Sequence, residues 1–309
     1  SVPTALLARA QLRERAERLA CWLSLALLAS TPVLAETLGT KDAAEVDLAI
    51  ESVRAESATP FVAVAITTVT DVCHATQYAD VAQQPAHNAP VRFHAASISK
   101  LLTATVVMQL QSEGKLSLAD PVGRYEPQFA RSPIKLVDLL THTSGLRDTT
   151  RANARDEQRQ VDAYITELAK QKLGHRPGER WEYSDAGYNL LGRVVERITG
   201  RPFAEAMRER LLEPLGMHDS DFDISRVPSD KRLAAFDEGG KQLPHPWDLA
   251  FLPSSGLQTT AADLAKFARA ILATGIRSKG WTPIDAEALR EMTQLRIATE
   301  WDGIGQGLG

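Results

Sequence analysis

The chain has 309 residues, 44 % of them hydrophobic and 24 % charged, with 19 Gly and 16 Pro. These ordinary globular values allow a sizeable core and exclude collagen-like, coiled-coil and disordered chains. A formal charge of -4 with both signs interspersed leaves no electrostatic footprint for nucleic acid, and two cysteines cannot build a disulfide framework.

Residues 1–35 read as a secretory leader. Arg9, Arg13, Arg15 and Arg18 supply a basic region, Leu19 to Ala29 is apolar apart from Ser24, and Thr31-Pro32-Val33-Leu34-Ala35 suits a signal peptidase. Cleavage after Ala35 would lower the charge to -6 and remove Cys21, leaving Cys73 as a lone, buried thiol. The apolar stretch is too short to span a bilayer, and Arg18 stands where a lipobox wants Leu. No stable membrane anchor is expected, and a periplasmic or secreted protein is.

The folded domain is expected over residues 36–309. Lys41 to Ala58 reads as an amphipathic helix, Phe61 to Val69 as a strand and Val72 to Tyr78 as its weaker hairpin partner. From Ser97 to about Ala273 the pattern is helical. Helices are predicted at 97–113, 133–141, 157–172, 186–199, 202–212 and 261–273, with a last one at 285–293. Gly114 and Gly200 sit where C-terminal caps belong, and 225–259 reads as a Pro-rich loop. The final run, Trp301 to Gly309, reads as the beginning of a strand, so the partner strands of the hairpin are expected beyond Gly309.

The seven histidines are scattered without ligand spacing, so neither a metal nor a cofactor is expected. No G-x-S-x-G elbow occurs, because His142 takes the first glycine position before Ser144. S-x-x-K occurs three times. Ser112 and Lys115 straddle a helix end at Gly114, and Ser132 before Pro133 suits an N-cap. Ser97 instead opens the nearly uncharged helix Leu101 to Met108, with Lys100 on the same face. Two readings fit that spacing: a capping serine with a snorkelling lysine, or a nucleophile beside a lysine. A buried lysine with few counter-ions has a lowered pKa and can take a proton, and the helix N-terminus offers N–H groups to an oxyanion.

Beyond that pair, Ala95-Ala96-Ser97-Ile98-Ser99-Lys100 and Gly114 to Val122 resemble the serine β-lactamase and penicillin-binding-protein superfamily, on its class C and esterase side. Leu139 to Leu146, Trp181 to Gly192 and Ser255 to Leu264 are similar to later segments of that family, in its order. The resemblance implies an α+β fold, an antiparallel sheet flanked by helices plus a mainly helical region. It implies Ser97 as acyl-enzyme nucleophile, Lys100 as its helper and Tyr183 as second proton-transfer group, with Asp185 and Gly256 toward the substrate. A phenol ordinarily titrates near ~10, so Lys100 would have to keep Tyr183 partly anionic. Tyr78-Ala79-Asp80 matches the tyrosine motif loosely but lies on a predicted strand. Asp185 stands where the family usually has Asn, and the third active-site motif is expected beyond Gly309.

The expected function is cofactor-free hydrolysis of a small acyl substrate or a peptidoglycan peptide, with an ester favoured over a β-lactam and a D-alanyl-D-alanine peptide third. A non-catalytic binding protein of the same fold is the alternative from another class. Oligomeric state is not readable.

Overall fold

The β-branched run at Phe61 and the weaker one at Val72 pair as predicted. In the computed structural model, helix α1 (Thr40–Glu56) leads into β1 (Phe61–Thr67) and β2 (Val72–Ala79). The two strands are antiparallel, from Phe61 opposite Ala79 to Ile66 opposite His74, with an irregularity before Thr67. Among the described residues this hairpin gains no third strand. The helix Ala261–Gly275 lies against both strands instead, and α1 against β2. The structure describes residues 40–56, 61–69, 71–79, 91–148, 157–233, 235–236, 242–243, 249–275, 282–301 and 303–309. All of them belong to one compact unit, Thr37–Gly309. The predicted leader, with Cys21, lies outside the described residues, as does Asp80.

The helical region follows the predicted order. After the short strand β3 (Phe93–His94) comes α2 (Ile98–Ser112), in which every residue from Leu102 to Met108 is fully buried. A helix whose one charged side chain is Lys100, at its first turn, belongs in the interior, and α2 is the central rod of the core. It ends at Gly114, which adopts φ +69°, and Ser112 is turned outward to Asp285 at 2.8 Å.

Helix α3 (Leu136–Leu140) starts later than predicted. Ser132 caps no helix; its hydroxyl accepts from the Ile134 N–H at 3.4 Å within a turn. The segment before α3 is extended because it pairs with another, Val122 N–H donating to Ile134 O and Lys135 bridging Pro121. Next come α4 (Glu157–Ala169), α5 (Asp185–Thr199) and α6 (Phe203–Met207), the last running into a π turn over Arg208–Leu212. Helix α5 is capped at both ends, at its C-terminus as the sequence suggests. The Ser184 hydroxyl accepts from Gly187 N–H at 3.3 Å, and Gly200 takes the left-handed C-cap. Arg193 pins α5 to its neighbours, bonding Glu126, Asp162 and Glu196 at 2.5–3.2 Å, with Glu126 fully buried.

The predicted loop at 225–259 holds more structure than its composition suggests. Strands β4 (Ala235–Phe236) and β5 (Gln242–Leu243) form a small hairpin. A short helix, α7 (Leu252–Ser255), and strand β6 (Gln258–Thr259) complete the stretch, and β6 pairs antiparallel with β3. Helices α8 (Ala261–Gly275) and α9 (Ala286–Thr293) follow, then the hairpin β7 (Ile297–Ala298) and β8 (Gly305–Gln306). The expected terminal strand is therefore present as β8, with its partner upstream in the chain.

Helix α7 is wedged between α2 and α5. Thr103 on α2 donates to Pro253 O at 2.8 Å, and on the other side Gly192 of α5 lets Pro253 approach closely. A Cβ on Gly192 would fall 2.0 Å from Pro253 Cγ. Gly192→Ala is expected to destabilise the protein by about 1–3 kcal/mol through overpacking. Thermal unfolding checks this; a variant as stable as the parent would mean the wedge yields freely.

Candidate active site

Ser97 stands at the mouth of α2, exposed, at the end of a chain segment held by β3. Ala95 N–H donates to Leu257 O at 2.9 Å, and the buried Ser99 hydroxyl bridges Ala96 O and Leu257 N–H. Between these anchors Ala96 is forced to φ +45°, a left-handed conformation that costs a non-glycine residue about 1–2 kcal/mol. The Ser97 side chain makes no capping bond, which removes the capping-serine reading. Its Oγ lies 2.6 Å from the Tyr183 hydroxyl and 3.2 Å from Lys100 Nζ.

Lys100 is buried, and its ammonium has three donors for three acceptors. Besides Ser97 Oγ these are Asp185 Oδ1 at 2.5 Å and the Ser254 carbonyl at 3.0 Å. The expectation of a lysine with few counter-ions is therefore corrected: a carboxylate from α5 sits directly on it. Each of the three N–H groups of a Lys100 ammonium thus has an acceptor in this geometry. Nζ lies 4.8 Å from the centre of the Tyr183 ring. The Tyr183 oxygen is the other group within hydrogen-bond reach of Ser97 Oγ.

The expectation of several free N–H groups at the helix start also needs correction. Those of Ile98, Ser99 and Lys100 already donate to Ala95 O, Ala96 O and Ser97 O. The Ser97 N–H itself remains as the oxyanion donor this segment can offer.

Tyr183 precedes α5 and is 43 % exposed, open to solvent beside Ser97. Its ring lies against His142, 4.6 Å between centroids and 23° from parallel. Sequence reasoning set His142 aside as surface or structural; the structure buries it directly behind Tyr183. Nδ1 accepts the Ser184 N–H at 3.1 Å, the His142 carbonyl accepts from Glu182 N–H at 2.8 Å, and the residue is held at φ +56°. Burial, and then the nearby Lys100 charge, push its imidazole down to about 4. Asp148, which sequence reasoning also missed, accepts from Ala186 N–H at 2.8 Å and caps α5 beside Asp185.

Of the predicted site residues, Ser97, Lys100, Tyr183 and Asp185 meet within hydrogen-bond distance. Gly256 is buried behind them, its N–H donated to Leu252 O at 2.9 Å and its Cα packed on Leu252. That segment reaches the site through the Ser254 carbonyl instead. Aromatic rings extend the site beyond Tyr183: Trp181 lies 6.3 Å from Tyr183 and 5.2 Å from Trp301, between centroids. Among the described residues, no three His, Cys, Asp or Glu side chains converge as metal ligands would.

An exposed serine, a buried lysine one turn on and a tyrosine just ahead of another helix are the groups that acyl transfer through a serine uses. The beta-lactamase family profile matches residues 46–309, and the chain belongs to that family. It is 34 % identical over 218 residues to penicillin-binding protein 4 of Amycolatopsis lactamdurans, covering 65 % of this chain and 56 % of that one. It is 30 % identical over 191 residues to the D-alanyl-D-alanine-carboxypeptidase/endopeptidase AmpH of Escherichia coli, covering 58 % and 48 %. Among solved structures, the octameric penicillin-binding protein homologue from Pyrococcus abyssi superposes with a TM-score of 0.70 at 25 % identity, covering 86 % of this chain and 64 % of that one. The chain spans about half to two thirds of the length of the curated relatives it matches. The fold is that of the serine β-lactamases and penicillin-binding proteins, a family of serine hydrolases.

His142→Asn tests the packing behind Tyr183, since Asn tolerates the left-handed backbone and keeps an acceptor. The imidazole titrates at about 4 in the fold and near ~6.5 unfolded, so the unfolded chain binds the extra proton between those values. Stability from this group is full above about pH 6.5 and falls by about 3 kcal/mol as pH drops through 4. Urea unfolding at pH 7 and pH 4 should show the parent losing that much more than His142→Asn. An equal loss in both would refute a neutral buried His142.

Proposed function

We propose that this chain is a serine hydrolase that acts on esters in preference to β-lactams or D-alanyl peptides, through an acyl-enzyme on Ser97. The observation that carries the reading is the filled donor set of Lys100. With the lysine held as a cation, proton transfer falls to Tyr183. Tyr183 enters this step as the phenolate, and its oxygen takes the Ser97 proton as Oγ bonds to the substrate carbonyl carbon. The oxyanion that forms is met by the Ser97 N–H, and the leaving group departs with the proton from Tyr183. Water then repeats the sequence in reverse and releases the acid.

Asp185 supports the ester preference. An Asn at this position could donate an amide N–H to a substrate carbonyl; the carboxylate donates nothing and is bound to Lys100 at 2.5 Å. An amide or lactam substrate thus loses a contact that a simple ester needs less. The likeness to AmpH favours a second reading, release of D-alanine from peptidoglycan peptides. The basic and apolar leader supports action outside the cytoplasm, with residues 1–35 removed.

Intact-mass labelling with a penicillin and an activated short-chain ester tests the reading. Adducts in the parent that vanish in Ser97→Ala, with the ester reacting faster, are expected. A folded parent that forms no adduct would mean a non-catalytic binding protein, and release of D-alanine outpacing ester hydrolysis would install the second reading.

Asp185→Asn should raise penicillin acylation relative to ester acylation by about 10-fold, the worth of one strong hydrogen bond. It should also move the ascending limb of the pH–rate profile to lower pH, because a negative charge beside the Lys100–Tyr183 pair is gone. An unchanged ratio and profile would remove Asp185 from the account of specificity.

A further inference from the structure

The row of rings that begins at Tyr183 does not end there. Trp181 is partly buried beside it, and Trp301 leans on Trp181 from the hairpin β7–β8 with its ring planes 59° apart. Trp301 is 54 % exposed, a large apolar surface left open to solvent two ring contacts out from Tyr183. Its loop is bonded to itself rather than loosely draped. Thr299 N–H donates to Ile304 O at 3.0 Å, Ile304 N–H to Trp301 O at 3.1 Å and Trp301 N–H to Thr299 Oγ1 at 3.3 Å. The hairpin is tied to α9 by Leu308 N–H on Met292 O at 2.9 Å. The indole N–H of Trp181 is buried and finds no acceptor among the described residues.

Proton bookkeeping tells which part of a substrate faces this row. The group that takes the Ser97 proton gives it to the leaving group, so the leaving atom must come within hydrogen-bond reach of the Tyr183 hydroxyl. Whatever is attached to that atom then lies on the Tyr183 side of Ser97, where the rings continue.

We propose that Trp181 and Trp301 form a leaving-group subsite for an aromatic alcohol, so that the preferred substrates are aryl-alkyl esters. The proposal rests on the ester-hydrolase reading above and names its substrate class. In the acylation step the bond from Ser97 Oγ to the acyl carbon forms and the bond from that carbon to the alcohol oxygen breaks. The oxygen keeps the electron pair and takes the proton from Tyr183. The freed alcohol leaves its ring on the open surface of Trp301, which Trp181 backs from the other side, where offset or tilted packing is favourable.

The test compares benzyl acetate with ethyl acetate on the full chain. Both give the same acetyl-enzyme, so the difference in kcat/KM reports on the alcohol alone. The parent should prefer benzyl acetate. Trp301→Ala should cut that preference roughly 2- to 12-fold, the worth of one aromatic pair, and Trp301→Phe should keep most of it. A preference absent in the parent, or untouched by Trp301→Ala, overturns the subsite.

A second arm needs no turnover. With the Ser97→Ala protein, the fluorine resonance of 4-fluorobenzyl alcohol should broaden saturably, and less so when Trp301→Ala is added. Broadening that ignores Trp301 overturns the subsite. Trp301-dependent binding by a chain that hydrolyses no ester upholds the subsite and overturns the ester-hydrolase reading.

Discussion

A buried ammonium cannot be left with idle donors, and the three acceptors around Lys100 Nζ come from three separate parts of the chain. Ser97 is supplied by the mouth of α2, Asp185 by the first residue of α5, and the Ser254 carbonyl by α7. Removing the Asp185 carboxylate would leave a buried ammonium with part of its shell missing, which costs stability. The elements that carry the acceptors are accordingly fixed to one another. Thr103 holds α7 to α2, the absent side chain of Gly192 admits α7 against α5, and Arg193 ties α5 to Glu126 and Asp162. The packing of three helices and the shape of the reactive centre are therefore one constraint seen at two scales.

In the proposed reaction that constraint separates two jobs that an S-x-x-K pair on its own leaves merged. Lys100, with an acceptor for each N–H of its ammonium, would act by its field and by position. Tyr183, half open to solvent and close to Lys100, would receive the proton. Asp185 would hold the lysine in place and at the same time weaken its field on the phenol. The balance between those two effects is where an Asp in place of Asn would change the chemistry, while the fold stays the same.

The parts of this arrangement that the sequence disclosed are those with a local signature. Ser97 and Lys100 lie one turn apart at the start of a helix that is otherwise almost uncharged, and the C-terminal caps of α2 and α5 are read from Gly114 and Gly200. Tyr183 and Asp185 were legible through the family resemblance rather than through spacing, since 86 residues separate Ser97 from Tyr183. The Ser254 contact was out of reach for a different reason: a backbone carbonyl carries no residue identity, and α7 is a four-residue helix stabilised by what it is wedged between. The late start of α3 has the same origin, because the pairing of 121–122 with 134–135 overrides a Ser-Pro start signal. A lone histidine without ligand spacing reads as structural, and His142 is buried and stacked on Tyr183; which ring it would back was not legible from its spacing.

Backbone strain marks the same centre independently. Among the described residues, the non-glycine residues with positive φ are Ala96 and His142. One immediately precedes the nucleophile, and the other backs the ring of Tyr183. Neither conformation is favourable for the residue that adopts it, so each persists because its surroundings over-determine it. At Ala96 the surroundings are the Ala95–Leu257 bond and the Ser99 bridge; at His142 they are the Glu182 and Ser184 N–H groups. The two segments held in this way keep Ser97 Oγ and the Tyr183 hydroxyl 2.6 Å apart. In the proposed acyl transfer that cost would be met in folding rather than in each turnover, which is what preorganisation of such a site requires.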